Sequence, residues 1–226
     1  MTVIATDARL HIHPVRRILI VDAHPIVRLG LRRIIEKEPD LAVCGDVETA
    51  ADARAAINRL HPDALVSDID LKEVDGIELV RHVRAHYPKL PILVLSSQDE
   101  TIYAGRMLSV GANGYIMKHA TGEQFLDSLR RVLEGGIYVS EAVGNDLINR
   151  YAAGDAYVSS DPIHSLSNRE LQILLMIGKG ISTREAAEAL HLSIKTVESH
   201  RQRIKRKLNL SSGAQLVQYA MLGQFK

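Results

Sequence analysis

With 226 residues, of which 46% are hydrophobic, the chain is long enough for two domains that each bury a core. The formal net charge of +1 identifies no partner, and no apolar run approaches the length of a membrane span. The single cysteine, Cys44, excludes an intrachain disulfide and favours a reducing compartment, so we expect a cytoplasmic protein without membrane segments.

Apolar, strand-like runs alternate with amphipathic helical stretches over the first 133 residues. Strict alternation predicts a parallel sheet with helices on both faces, and five such units predict a flavodoxin-like α/β fold. The predicted strands lie near residues 17–22, 41–46, 64–68, 91–95 and 114–117. The predicted helices lie near residues 25–37, 48–60, 75–86, 98–109 and 121–133.

The second half of the chain shows helical periodicity only. A short extra helix is predicted at 141–151, with Val143, Leu147 and Ile148 on one face, and a linker without periodicity follows. Four helices are then predicted near residues 167–178, 182–190, 193–208 and 211–221. The predicted organisation is a flexible lead-in at 1–16, an α/β domain at 17–136, the extra helix and linker at 137–164, and a small all-α domain at 165–226.

Polar residues follow four of the predicted strands at the point where each strand ends. These residues are Asp22, Asp68, Ser96 and Lys118. The carboxyl ends of parallel strands meet at one edge of a sheet, which is where α/β proteins place their chemistry. The pattern therefore predicts a site centred on Asp68.

The helix predicted at 193–208 carries a cationic stripe with a single acidic residue between Lys195 and Lys207. A short helix, a tight turn and a longer cationic helix form the order of a helix-turn-helix, whose second helix enters the major groove of DNA. Val197, Ile204 and Leu208 share one face and should be core. The remaining faces are expected to contact double-stranded DNA.

The outward residues of this helix divide into two predicted classes. Candidate base readers are Glu198, Ser199, Gln202 and Arg203. Candidate phosphate contacts, which give a salt-sensitive and sequence-independent attraction, are Lys195, Thr196, Arg201, Lys205 and Arg206.

Residues 18–25, 62–76, 91–97 and 111–118 resemble, in order, the receiver domain of bacterial two-component response regulators. The resemblance implies that Asp68 accepts a phosphoryl group from a sensor histidine kinase. It implies that Ser96 senses the phosphate, that Lys118 pairs with it, and that Tyr115 is the aromatic switch residue. It also implies a bound Mg²⁺, with ligands expected from Asp22, Asp68 and Asp70.

Residues 166–170, 186–190 and 195–200 resemble the LuxR-type helix-turn-helix. Together the two halves resemble the NarL/FixJ family, and the resemblance covers residues 17–221. It implies a transcription regulator controlled by phosphorylation, without enzymatic activity, that binds DNA as a homodimer.

The chemistry supports the same reading, because an aspartate that attacks a phosphoryl group brings negative charge toward negative charge. A divalent ion and a lysine ammonium can offset this repulsion, and a serine hydroxyl can bond the phosphoryl oxygen once it is present. The chain departs from the receiver pattern at Ala23, where a second acidic residue is usual, so we expect weakened Mg²⁺ affinity. It also departs at Lys72 and His119, while Asp70 and Asp99 could restore negative charge.

Two other functions remain open from the sequence. Ala23 is consistent with an atypical receiver that regulates DNA binding without phosphorylation. The run Asp68, Ile69, Asp70 is also the nucleophile motif of haloacid-dehalogenase-like phosphatases, although those enzymes need a cap and a later acidic pair. His82 and His86 have helical spacing, but two ligands do not make a zinc site.

Overall fold

The computed structural model describes residues 14–71, 76–152 and 162–222. Five parallel strands form one sheet in the order β2-β1-β3-β4-β5, which confirms the predicted flavodoxin-like architecture. The strands are β1 (Arg16–Val21), β2 (Leu41–Val47), β3 (Ala64–Ser67), β4 (Ile92–Ser96) and β5 (Gly114–Met117). The helices of this half are α1 (Pro25–Ile35), α2 (Ala50–Leu60), α3 (Gly76–His86), α4 (Glu100–Ser109), α5 (Gly122–Leu133) and α6 (Glu141–Ala152).

Alternate residues of the sheet face opposite helical layers. Leu19 and Val21 of β1 pack in one hydrophobic cluster with α2, α3 and α4, whereas Ile18 and Ile20 pack in another with α1 and α5. All four side chains are buried, because each face of the parallel sheet is covered by helices. The strand ends therefore form the part of the sheet that can present polar groups to solvent.

The second half contains four further helices, preceded by a 3₁₀ turn at Pro162–Ser165. They are α7 (Asn168–Gly178), α8 (Thr183–Ala189), α9 (Ile194–Lys207) and α10 (Gly213–Met221). A capping box begins α7: the Ser167 hydroxyl accepts from the Glu170 amide, and the Glu170 carboxylate accepts from the Ser167 amide. Each such bond satisfies an amide that the helix start leaves unpaired.

The core prediction for the cationic helix is confirmed. Val197, Ile204 and Leu208 are buried and belong to the hydrophobic cluster through which α9 packs against α7 and α8. The prediction for α6 is wrong in one residue. Val143 is buried, but Ile148 is 66% exposed, because it points away from the layer that covers Val143.

Several sequence predictions lie outside the described residues. They concern residues 1–13, residues 153–161 of the linker, and the segment 72–75 that contains Lys72. No helix of the described residues is both long enough and apolar enough to cross a membrane.

Candidate functional site

Backbone hydrogen bonds extend the sheet by one residue and fix the polar groups at its carboxyl edge. The Asp68 amide donates to Val21 O at 2.8 Å, and the Lys118 amide donates to Ser96 O at 2.8 Å. The Asp22 amide donates to Val47 O at 3.1 Å. The four polar residues predicted to converge therefore lie at the carboxyl ends of neighbouring strands.

Two buried carboxylates share one lysine at this edge. Lys118 Nζ lies 2.6 Å from Asp68 Oδ2 and 2.7 Å from Asp22 Oδ2, and both aspartate side chains are 2% exposed. The second oxygen of Asp68 accepts from the amides of Ile69 and Asp70 at 2.7 and 3.2 Å. Asp68 is therefore held in position by three donors.

Burial and charge act in opposite directions on these groups. Burial raises the pKa of Asp68, and the nearby Lys118 ammonium opposes part of that shift. Burial alone would lower the pKa of Lys118, but the attraction of Asp68 and Asp22 outweighs it, and the pKa of Lys118 is raised. Lys118 is consequently a cation at neutral pH, as an electrostatic partner for a phosphoryl group must be.

One further residue joins the carboxylates, and the sequence reasoning missed it. A ring nitrogen of His24 and carboxylate oxygens of Asp22 and Asp68 all lie within 4.8 Å of one another. The His24 backbone amide and its Nδ1 lie 2.7 and 3.0 Å from Asp22 Oδ1. A histidine two residues after a strand-end aspartate was the available signal.

These donors can hold a divalent cation, but they are not the set that the receiver pattern predicts. Two carboxylates suit Mg²⁺, which binds oxygen ligands and keeps several waters. The third donor is an imidazole nitrogen, and Ala23 offers no side-chain ligand. The two aspartates are therefore the only side chains of this group that suit Mg²⁺ as ligands.

Asp70, the third predicted metal ligand, is not in this group. Its Oδ2 accepts from Gln98 Nε2 at 2.7 Å, and its Oδ1 accepts from Gln172 Nε2 at 2.7 Å. Its role as a ligand stays a prediction, and in this structure both oxygens have other partners. Asp99 likewise caps α4, because its Oδ1 accepts from the Thr101 amide at 2.9 Å.

The two predicted switch residues meet at the loop after β4. Ser96 Oγ accepts from the Gln98 amide at 3.1 Å, and the Tyr115 hydroxyl donates to Gln98 O at 2.7 Å. Ser96 and Tyr115 are both fully buried, and burial raises the pKa of Tyr115. Gln98 connects this loop to Asp70, which the sequence did not indicate.

A glycine at the start of α3 allows that helix to begin close to Asp68. A Cβ at Gly76 would lie 2.5 Å from Ile69 Cα and 2.9 Å from Asp68 O, closer than backbone atoms tolerate. The Gly76 amide also donates to Ile69 O at 3.1 Å. The start of α3 can approach Asp68 only because residue 76 lacks a side chain.

The second candidate site is the outer face of α9. Lys195, Glu198, Ser199, Gln202, Arg203 and Arg206 are exposed, whereas Thr196, Arg201 and Lys205 are half-buried. Ser193 caps the helix through the Thr196 amide at 3.0 Å, which aims the N-terminal turn outward. The predicted DNA-facing residues thus share an accessible surface, and their individual roles stay predictions.

Contacts with α7 and α8 hold α9 in place. Lys207 Nζ lies 2.7 Å from Glu170 Oε2 and donates to Ser165 O at 2.8 Å, which ties the end of α9 to the start of α7. Glu198 accepts from Thr183 Oγ1 at 3.1 Å and lies 3.8 Å from Arg201. Burial lowers the pKa of His200, so this half-buried imidazole favours its neutral form.

We predict that Gln202→Ala costs about 1–3 kcal/mol at one base pair of a cognate duplex, because a glutamine amide can bond a base edge. Gln202 is exposed on the outer face of α9, and its removal leaves the core untouched. Binding to cognate and random duplexes should be measured for both proteins. Equal losses on the two duplexes would show that Gln202 reads no base.

Comparison with known proteins identifies the family of each half. A family described as the response regulator receiver domain matches residues 18–130, and one described as bacterial regulatory proteins of the luxR family matches residues 164–220. The oxygen regulatory protein NreC of Staphylococcus carnosus is 36% identical over 212 residues, covering 91% of this chain and 96% of NreC. The transcriptional regulatory protein DegU of Brevibacillus brevis is 32% identical over 214 residues, covering 89% and 91%.

A solved structure shares the architecture of both halves. RcsB from Salmonella enterica serovar Typhimurium, bound to the promoter rprA in the presence of the phosphomimetic BeF₃⁻, superposes with a TM-score of 0.57. It is 25% identical, and the match covers 91% of this chain and 98% of that one.

A receiver sheet with its acidic edge, followed by a LuxR-type helix-turn-helix, defines a DNA-binding transcription regulator of a two-component system. The chain belongs to the NarL/FixJ family of response regulators.

Proposed function

We propose that Asp68 is the phosphoryl acceptor through which a sensor histidine kinase controls the binding of this regulator to double-stranded DNA. The observation that carries the proposal is Lys118 Nζ, 2.6 Å from Asp68 Oδ2 and shared with Asp22. A carboxylate oxygen at a strand end, with a fixed ammonium beside it, can take a phosphoryl group while the lysine offsets the added charge.

Each residue at the sheet edge has a separate role in this proposal. Asp68 supplies the attacking oxygen, and Lys118 stabilises the phosphorylated product. Ser96, whose Oγ accepts from the Gln98 amide, donates its own proton to a phosphoryl oxygen, and Tyr115 follows the resulting movement of that loop. Such contacts form only after phosphorylation, which is what a switch needs.

A divalent cation held by Asp22 and Asp68 would neutralise charge as the phosphoryl group arrives. Ala23 deprives that cation of a carboxylate which receivers usually provide. Fewer oxygen ligands and less negative charge both weaken binding of a hard ion such as Mg²⁺.

We therefore predict that Ala23→Asp tightens Mg²⁺ binding by about tenfold or more, and that it speeds labelling of Asp68 at low Mg²⁺. Ala23→Asn is the matched control, because it has the same size without the charge. A Mg²⁺ titration of the three proteins, followed by labelling at saturating metal, measures both effects. Native affinity equal to that of the Asp variant would show that another group already replaces the missing ligand.

The DNA-binding half acts through α9 and, we propose, as a homodimer on two half-sites. One helix contacts too few bases for genomic specificity. A dimer on two half-sites, spaced near one helical turn or facing each other across a dyad, would double the number of bases contacted. RcsB, a relative of similar architecture, has been solved as two dimers bound to DNA. A protein that binds chromosomal DNA and receives a phosphoryl group from a sensor kinase would work in the cytoplasm.

The contact between the two halves couples the sites in this proposal. Gln172 of α7 is 8% exposed, donates to Asp70 at 2.7 Å and accepts from Arg169 Nη1 at 2.9 Å. Asp70 follows Asp68 by two residues, so a change at the phosphoacceptor loop moves the acceptor of this bond. Loss of the bond between Gln172 and Asp70 would release the DNA-binding half from the receiver half.

We predict that Gln172→Glu raises the DNA affinity of the unphosphorylated protein by about tenfold, because a hydrogen bond to a charged group contributes about 1.5–3 kcal/mol. The new carboxylate keeps Arg169 as a partner but repels Asp70. Gln218→Glu is the matched control, since it adds the same charge to the DNA-binding half at an exposed position of α10. Unchanged DNA affinity in Gln172→Glu, or an equal rise in both variants, would show that Gln172 does not couple the two halves.

The experiment that tests the proposed function is intact-mass analysis of the full chain after incubation with a small phosphodonor such as acetyl phosphate. One phosphoryl adduct, sensitive to hydroxylamine as an acyl phosphate is, supports the proposal. Absence of any adduct at saturating divalent cation would favour the atypical receiver that Ala23 allows. The comparisons support neither that alternative nor a phosphatase.

A further inference from the structure

The two carboxylates of the phosphoacceptor site have only one ammonium between them among the described residues. Asp22 and Asp68 are both buried, and Lys118 contacts an Oδ2 of each. With both aspartates ionised, one negative charge remains beneath the surface, and burial of an uncompensated charge is costly. The site therefore attracts a cation.

His24 gives this site a nitrogen donor with access to solvent. Its side chain is 64% exposed, while the backbone amide of the same residue is fixed on Asp22 Oδ1. A ring nitrogen lies within 4.8 Å of oxygens of both carboxylates, and the exposed side of the ring leaves room for waters that complete a coordination shell. An ion bound there would take the place of the direct contact between His24 Nδ1 and Asp22 Oδ1, which lie 3.0 Å apart.

We propose that His24, Asp22 and Asp68 form a binding site for a first-row transition-metal ion such as Co²⁺, Ni²⁺ or Zn²⁺, in preference to Mg²⁺. Imidazole suits these ions, whereas Mg²⁺ prefers oxygen ligands only. Ala23 removes the oxygen ligand that would favour Mg²⁺, and His24 supplies nitrogen instead. The proposal rests on the proposed function in that its two carboxylates are those of the phosphoacceptor site.

The test is calorimetric titration of the full chain with Mg²⁺ and with Co²⁺, without a phosphodonor. The native protein should bind Co²⁺ at least about tenfold more tightly than Mg²⁺, following the usual preference of nitrogen-containing sites. His24→Asn should lose most of the Co²⁺ affinity and leave Mg²⁺ affinity nearly unchanged. Asn is a suitable variant because residue 24 is the N-cap of α1, a position that asparagine favours.

His86→Asn is the matched control. His82 and His86 on α3 stack with ring centroids 4.1 Å apart and offer two imidazoles away from the proposed site. The high-affinity Co²⁺ site should survive in this variant. Electron spin echo spectroscopy of the Mn²⁺-loaded protein adds a direct readout, since coupling to an imidazole nitrogen should be present in the native chain and absent from His24→Asn.

Three outcomes would overturn the proposal: equal affinity for Mg²⁺ and Co²⁺, Co²⁺ binding that survives His24→Asn, or no metal binding by the native chain. None of these outcomes decides whether Asp68 is phosphorylated, because the titrations contain no phosphodonor. Failure of this inference and failure of the proposed function are therefore separable.

Discussion

Asp68→Asn abolishes the hydroxylamine-sensitive phosphoryl label, reducing it to background while the fold is kept. An amide nitrogen cannot replace the carboxylate oxygen that attacks phosphorus, and the lysine beside it has nothing to stabilise. Asparagine has nearly the volume of aspartate, and its side-chain oxygen can still accept from the Ile69 amide. Intact-mass analysis after incubation with acetyl phosphate gives the label directly.

Asp70→Asn is the matched control for that measurement. It removes a carboxylate two residues away whose oxygens contact Gln98 and Gln172 rather than Lys118. This variant should keep the label. Retained labelling in Asp68→Asn would move the acceptor to another residue, and loss of the label in both variants would show a general effect of charge in the loop.

Replacing Lys205 and Arg206 by alanine weakens binding to every DNA sequence, with the salt dependence of log K reduced by about two. Both side chains lie on α9, and neither ion-pairs with an acidic residue among the described contacts. Phosphate contacts release condensed counterions regardless of sequence, so cognate and random duplexes should lose affinity in parallel. Titrations at several salt concentrations give the slope.

The control for net charge is Arg33→Ala combined with Lys37→Ala. These residues are exposed on and just after α1 in the receiver half, and their removal lowers the total charge by the same amount. DNA affinity and salt slope should stay near native values. If this control weakened binding as much as the α9 variant does, the effect would be one of overall charge and α9 would not be the contact surface.

The sheet and the strand-end residues could be predicted because both follow from local patterns. Alternation of apolar runs with amphipathic helices fixes a parallel sheet, and parallel strands bring Asp22, Asp68, Ser96 and Lys118 to one edge. The core face of α9 was predictable for the same reason, since helical period alone determines which residues are buried.

Contacts between segments that are distant in the sequence could not be predicted from local patterns. The bond from Gln172 to Asp70 joins residues 102 positions apart and depends on how the two halves pack. Gln98 was missed because a loop glutamine has many possible partners. His24 was not predicted because a strand pattern does not show that the turn after β1 brings residue 24 back onto Asp22.

The most direct test of the central claim is the size and DNA binding of the full chain with and without acetyl phosphate, measured in parallel for Asp68→Asn. The account predicts that the phosphodonor raises both the dimer fraction and the affinity of the native protein for its operator, and that it changes neither in the variant. Native binding that ignores the phosphodonor, or a variant that responds as the native chain does, would contradict control through Asp68.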